Sequence, residues 1–106
     1  MASSGRGSRR KGAAEERRIA HVLLAAGVDA VKVSRSGYSI HDLDIKTDHA
    51  TLRVEVKHYA SGFARLYAWL TGRDVLIVRC DHSEPLVIMP LTRAIELKLF
   101  HRKTDT

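Results

Sequence analysis

Residues 41 to 57, HDLDIKTDHATLRVEVK, constrain this chain more than any other stretch. Successive strand residues point to opposite faces of a sheet. Leu43, Ile45, Leu52, Val54 and Val56 therefore share one face, and Asp42, Asp44, Arg53, Glu55 and Lys57 the other. The polar run KTDHAT between Ile45 and Leu52 reads as a turn, so the stretch is a hairpin with one apolar side. Facing Ile45 with Leu52 sets the register: Leu43 opposite Val54, Asp44 opposite Arg53, Asp42 opposite Glu55. Asp44 then gains an ion-pair partner. Asp42 and Glu55 become opposed acids with Cβ atoms ~5 Å apart, which destabilises a ladder unless a cation compensates.

Two carboxylates at that spacing suit a hard divalent ion that takes oxygen ligands and keeps bound water, which describes Mg²⁺, with Mn²⁺ as a substitute. The backbone carbonyl of Val56 is a third candidate ligand. Lys57, two residues along from Glu55 on the same face, is placed to polarise a metal-bound water or to stabilise charge on a phosphate oxygen. Glu15 or Glu16, from the helix upstream, is a candidate outer acid. The set fits metal-assisted phosphodiester hydrolysis. A turn shifted by one step would instead bring Asp44 opposite Glu55. The bland alternative is a solvated sheet face on which acids and bases alternate, since Glu-x-Lys alone is common.

A chain of 106 residues with 44% apolar content is read as one modest globular domain. The single cysteine, Cys80, excludes an internal disulfide and suits a reducing, cytoplasmic setting. Closing the apolar run DVLIVRC, it reads as a buried, inert thiol. No apolar run approaches the ~20 residues that span a bilayer, so no membrane is expected. Nor does MASSGRGSRRKG read as a secretory signal, since it contains no apolar segment. The formal net charge is +6. Arg6, Arg9, Arg10 and Lys11 sit among Gly and Ser with no acid between them, the composition of a flexible basic arm over residues 1–11 that would contact phosphates or serve only as a solubilising tail. The remaining residues, 12–106, are assigned to one domain.

From Ala13 to Ala26 the run AAEERRIAHVLLAA spaces Ile19, Val22, Leu23 and Ala26 as a buried helical stripe that stops at Gly27. A β-branched strand, DAVKVSRSG, precedes the hairpin. After it, SGFARLYAWLTG places Phe63, Leu66, Tyr67 and Leu70 on one helical face, leaving Trp69 off the stripe as a dimer contact rather than a base-stacking platform. Two apolar strands, DVLIVRC and EPLVIMP, are split by the turn DHSE, and LTRAIELKLFHRK closes the chain as an amphipathic helix. The order is α-β-β-β-α-β-β-α, an α/β chain of mixed α+β type with a mixed central sheet flanked by helices. The six histidines show no zinc spacing, and alternation turns His41 and His58 away from the acidic face.

Taken together these residues resemble the PD-(D/E)XK nuclease superfamily, and within it the archaeal-type Holliday junction resolvases. KGAAEER is similar to that family's opening signature and carries its helix glutamate onto Glu16. HDL stands where the family has its motif aspartate, Asp42, and VEVK matches the paired acid and lysine, Glu55 and Lys57. His41 stands in place of a frequent proline, and the loop SRSGYS is longer than the family's, so its strand base falls on Lys32 or Arg35. Lys32, Ser34, Arg35 and Ser36 are then candidate DNA contacts alongside the basic arm. The resemblance implies a restriction-endonuclease-like core, Mg²⁺ dependence, a homodimer, and cutting of branched DNA at a four-way junction. Two other readings stay open: a nicking or restriction-type nuclease, and a non-catalytic DNA-binding module on the same fold.

Overall fold

The computed structural model describes residues 5–33 and 41–103, with side chains from Gly12 onward. Ser34, Arg35 and Ser36 lie outside the described residues. Along the chain the elements are α1 (Gly5–Ala25), β1 (Asp29–Lys32), β2 (Leu43–Lys46), β3 (Thr51–Val54), α2 (Ala64–Leu70), β4 (Leu76–Val78), β5 (Leu86–Ile88) and α3 (Leu91–Glu96). Their succession is the expected one, and they fall into two compact units. Met1–His58 with Phe100–Thr106 forms the first unit, and Tyr59–Leu99 the second. The sheet is also not mixed. Every described pairing is antiparallel, in a three-stranded sheet ordered β1-β2-β3 and a separate β4-β5 pair.

In the first unit the hairpin register is the one its apolar pattern dictates: Leu43 faces Val54, Asp44 faces Arg53 and Ile45 faces Leu52. A one-step slip would turn Leu43 and Ile45 out of the core, and both are almost wholly buried. The turn is fastened by Thr47, whose hydroxyl donates to the Ala50 carbonyl at 2.9 Å and accepts from the Ala50 N–H at 3.1 Å. Against β1 packs α1, burying Glu16, Ala20 and Leu23 together with Val28 and Ala30. The buried line of the helix is thus 16-20-23, at helical spacing, and Val22 lies outside it, exposed.

The helix begins at Gly5, well before the expected start at Ala13, and takes in the residues assigned to a flexible arm. Arg and Lys are good helix formers, and once a helix exists each added residue costs little. Its other end is as expected. Gly27 has φ +85°, and the Gly27 and Val28 N–H groups return to the carbonyls of Leu24 (3.0 Å) and Leu23 (2.9 Å). This is a Schellman cap, with Val28 and Leu23 both buried across it. His101 Nε2 lies 3.0 Å from the Ala26 carbonyl, so that nitrogen carries the proton and donates. Arg102 pairs with Asp29 at 2.7 Å and the Lys103 N–H with Asp48 at 2.7 Å, fastening the end of the chain to this unit.

The second unit holds little core. Among its described residues Ala94 alone is buried, and α2 buries nothing fully. Tyr67, expected in the core, is 73% exposed, and Trp69 is exposed as its place off the stripe required. Cys80 is exposed too, because β4 ends at Val78 and the two-stranded pair leaves it uncovered. The closing helix stops at Glu96 although the apolar pattern runs on. Lys98 takes φ +60°, and the Lys98 and Leu99 N–H groups bond the carbonyls of Ile95 (2.9 Å) and Ala94 (3.1 Å), a second Schellman cap built without glycine. Arg93 ties this helix to Asp74 at 2.9 Å and to its own Glu96 at 3.1 Å. Among the described residues no helix is long and apolar enough to cross a membrane.

A side chain in the left-handed region is strained by roughly 1 kcal/mol. Lys98→Gly should therefore raise stability by about 1 kcal/mol and Gly27→Ala lower it by about as much, read from urea midpoints by circular dichroism. An unchanged midpoint for both would contradict these two caps.

Candidate active site at the hairpin

The edge of the first sheet is organised by Asp42. Its carbonyl accepts from the Val33 N–H at 3.0 Å, which extends the β1-β2 pairing one step beyond Lys32. Its own N–H donates to the Val54 carbonyl at 2.8 Å. Since Val54 is already the ladder partner of Leu43, two residues of one strand oppose one of the other, the arrangement of a β-bulge. The Asp42 carboxylate then accepts the Val56 N–H through Oδ2 at 2.8 Å. Asp42 is only 2% exposed. A buried carboxylate persists where donors satisfy it, and here the backbone of the return strand supplies one.

This differs from the expected direct opposition of Asp42 and Glu55. Regular pairing stops at Leu43 and Val54, and the bulge turns the Asp42 carboxylate toward Val56. Glu55 and Lys57 follow on the exposed continuation of β3, with Lys57 Nζ 3.1 Å from Glu55 Oε2. Both side chains are more than half exposed, so this pair contributes little stability. Val56, between them, is half-buried, and its N–H is committed to Asp42. The segment thus joins a buried, oriented acid to an exposed acid and lysine.

Glu16 takes a different place from the one expected of an outer acid. It lies on the buried line of α1, 8% exposed, with Oε2 3.7 Å from Lys32 Nζ on β1. Lys32, a candidate DNA contact, is thereby occupied in linking helix to sheet, although its side chain stays partly exposed. The neighbouring Glu15 pairs with Arg18 at 4.0 Å. Among the described residues, no three His, Cys, Asp or Glu side chains gather as a group that could hold a metal ion. Glu16 therefore does not join Asp42 and Glu55 in a three-acid site. The residues expected to hold a metal, Asp42, Glu55 and the Val56 carbonyl, would offer an all-oxygen donor set, with Asp42 buried and the Glu55 side chain about half exposed. Its chemistry suits Mg²⁺ or Mn²⁺ with water completing the shell.

Asp44, named as the alternative site acid and expected to pair with Arg53, is engaged by His41. Its Oδ1 lies 2.7 Å from His41 Nε2. Alternation should have turned His41 away, but His41 precedes β2 and is not bound by strand geometry. Arg6, Arg9, Arg10 and Lys11 lie on the first turns of α1 rather than on an arm without structure.

Comparison with family models, with curated proteins and with solved structures gave no significant match.

Replacing the acid tests the bulge directly. Asp42→Asn keeps an oxygen for the Val56 N–H and should cost little stability. Asp42→Ala leaves that N–H without its acceptor and should cost about 1–3 kcal/mol. The Val56 amide should exchange with solvent much faster in the alanine variant alone. Equal protection in both would remove the carboxylate from this role.

Proposed function

We propose that this protein is a metal-dependent DNA endonuclease that hydrolyses phosphodiester bonds, acting on branched DNA such as a four-way junction as a homodimer. The observation that carries the reading is the buried Asp42 carboxylate, held in orientation by the Val56 N–H beside the Glu55–Lys57 pair. A carboxylate fixed in this way is preorganised for a cation, whereas a purely structural cap at a sheet edge needs no acid and lysine beside it. Asp42, Glu55 and the Val56 carbonyl would hold Mg²⁺, which supplies charge stabilisation at phosphate and a bound water of lowered pKa. Lys57 offers a cation to a phosphate oxygen and steadies Glu55 when no substrate is present. The resemblance of KGAAEER, HDL and VEVK to the resolvase motifs points the same way, as does the net charge of +6. Exposed Trp69, Ile77 and Val87 in the second unit are the kind of apolar surface a homodimer would cover.

A second reading, a DNA-binding module that does not cut, draws on the lack of a three-acid group among the described residues. A nicking or restriction-type nuclease would share the first reading's chemistry and differ in substrate shape. Cleavage of a labelled four-way junction, a matched duplex and a flap, with Mg²⁺ and with EDTA, separates all three. Paired symmetric nicks on the junction alone are expected, lost with EDTA and in Glu55→Ala. Asp42→Asn should cut at least 100-fold more slowly while binding as wild type, and Asp44→Asn should lose less than tenfold. Cutting of every substrate would give the general nuclease. Tight binding without cutting under any divalent ion would give the binding module.

A further inference from the structure

The extension of α1 back to Gly5 changes what its basic residues form. A helix turns about 100° per residue, so positions 6, 10, 17 and 21 fall within a stripe about 60° wide. These are Arg6, Arg10, Arg17 and His21. Where side chains are described, this flank is open: Arg17 and His21 are both exposed, as is Leu24 at its end. The buried line through Glu16, Ala20 and Leu23 lies to one side, so packing against β1 leaves the flank uncovered. The two acids of the helix, Glu15 and Glu16, fall on other faces and are engaged by Arg18 and Lys32. Among the described residues no carboxylate pairs with Arg17.

We propose that the line Arg6-Arg10-Arg17-His21 on α1 is a separate interface for the phosphate backbone of a nucleic-acid duplex, distinct from the carboxylate site at the hairpin. From position 6 to position 21 the helix rises about 22 Å, a rigid rod that passes several phosphates of one strand. A flexible arm would follow any polyanion. Arginines set along one helix face at intervals of one turn and two turns favour a partner whose charges are equally fixed, which selects duplex over single strand. The role rests on the nucleic-acid part of the proposed function and is independent of cleavage.

The test is binding of the full chain to a fluorescent 30-base-pair DNA duplex in EDTA over a series of KCl concentrations. Wild type is compared with Arg10→Gln, Arg17→Gln, the double variant and Arg18→Gln. Glutamine keeps helix propensity close to that of arginine, and each single variant removes the same charge. Each stripe variant should reduce the slope of log K against log[salt] by about 1, and the double variant by about 2. Arg18→Gln should leave the slope within half a unit of wild type, and single-stranded DNA should show smaller differences among the variants. Equal slopes for all variants, or an equal loss in Arg18→Gln, would overturn the interface. Junction cutting by wild type with unchanged slopes would leave the nuclease reading standing and this interface wrong. Altered slopes without cutting would do the reverse.

Discussion

The first unit depends on one hydrogen bond, from the Val56 N–H to the Asp42 carboxylate. In a regular ladder that N–H would seek a backbone carbonyl. The bulge at Asp42 and Leu43 shifts the strand, and the carboxylate serves as the acceptor. Three segments meet there, since Asp42 also bonds Val33 on one side and Val54 on the other. Chain geometry and candidate chemistry therefore coincide in one residue. Asp42 is held at 2% exposure with the Val56 N–H donating to its carboxyl group, and that bond orients Oδ2 toward the return strand.

The two units divide their duties unequally. The first has a continuous apolar core from Leu23 through Val28, Ala30, Leu43 and Ile45, which gives the hairpin a rigid base. The second carries exposed Tyr67, Ile77, Leu86 and Val87, and its described contacts are local: the β4-β5 pairing, the Schellman cap at Lys98 and the surface bridges of Arg93. A segment of this kind gains most from apolar surface supplied by another chain.

Much of the first unit could be read from residue order. Two strands of period-two pattern around a polar turn admit one register that buries Leu43 and Ile45, and the structure has it. Gly27 marked the end of α1 because its positive φ suits no side chain well. What escaped the sequence was whatever departs from regular periodicity. A bulge adds one residue to one strand without a compositional mark, so the opposition of Asp42 and Glu55 gave way to a contact with Val56. His41 reached Asp44 because it stands just outside the strand. Lys98 ended α3 in a conformation usually left to glycine, and the apolar pattern beyond it carried no warning. Among the site residues, Glu55 and Lys57 were legible as a neighbouring pair. The engagement of Glu16 with Lys32 was not, since it depends on how α1 packs on β1.

The central claim is that Asp42 and the Glu55–Val56–Lys57 segment form one oxygen-lined cation site. A titration of ¹⁵N-labelled protein with Mg²⁺, followed at the Val56 amide, tests it most directly. The account predicts a saturable shift at Asp42 and residues 55–57, absent in Asp42→Asn and unaffected by Asp44→Asn. Shifts spread evenly over exposed acids such as Asp74, Asp81 and Glu84, with Val56 unmoved, would contradict it.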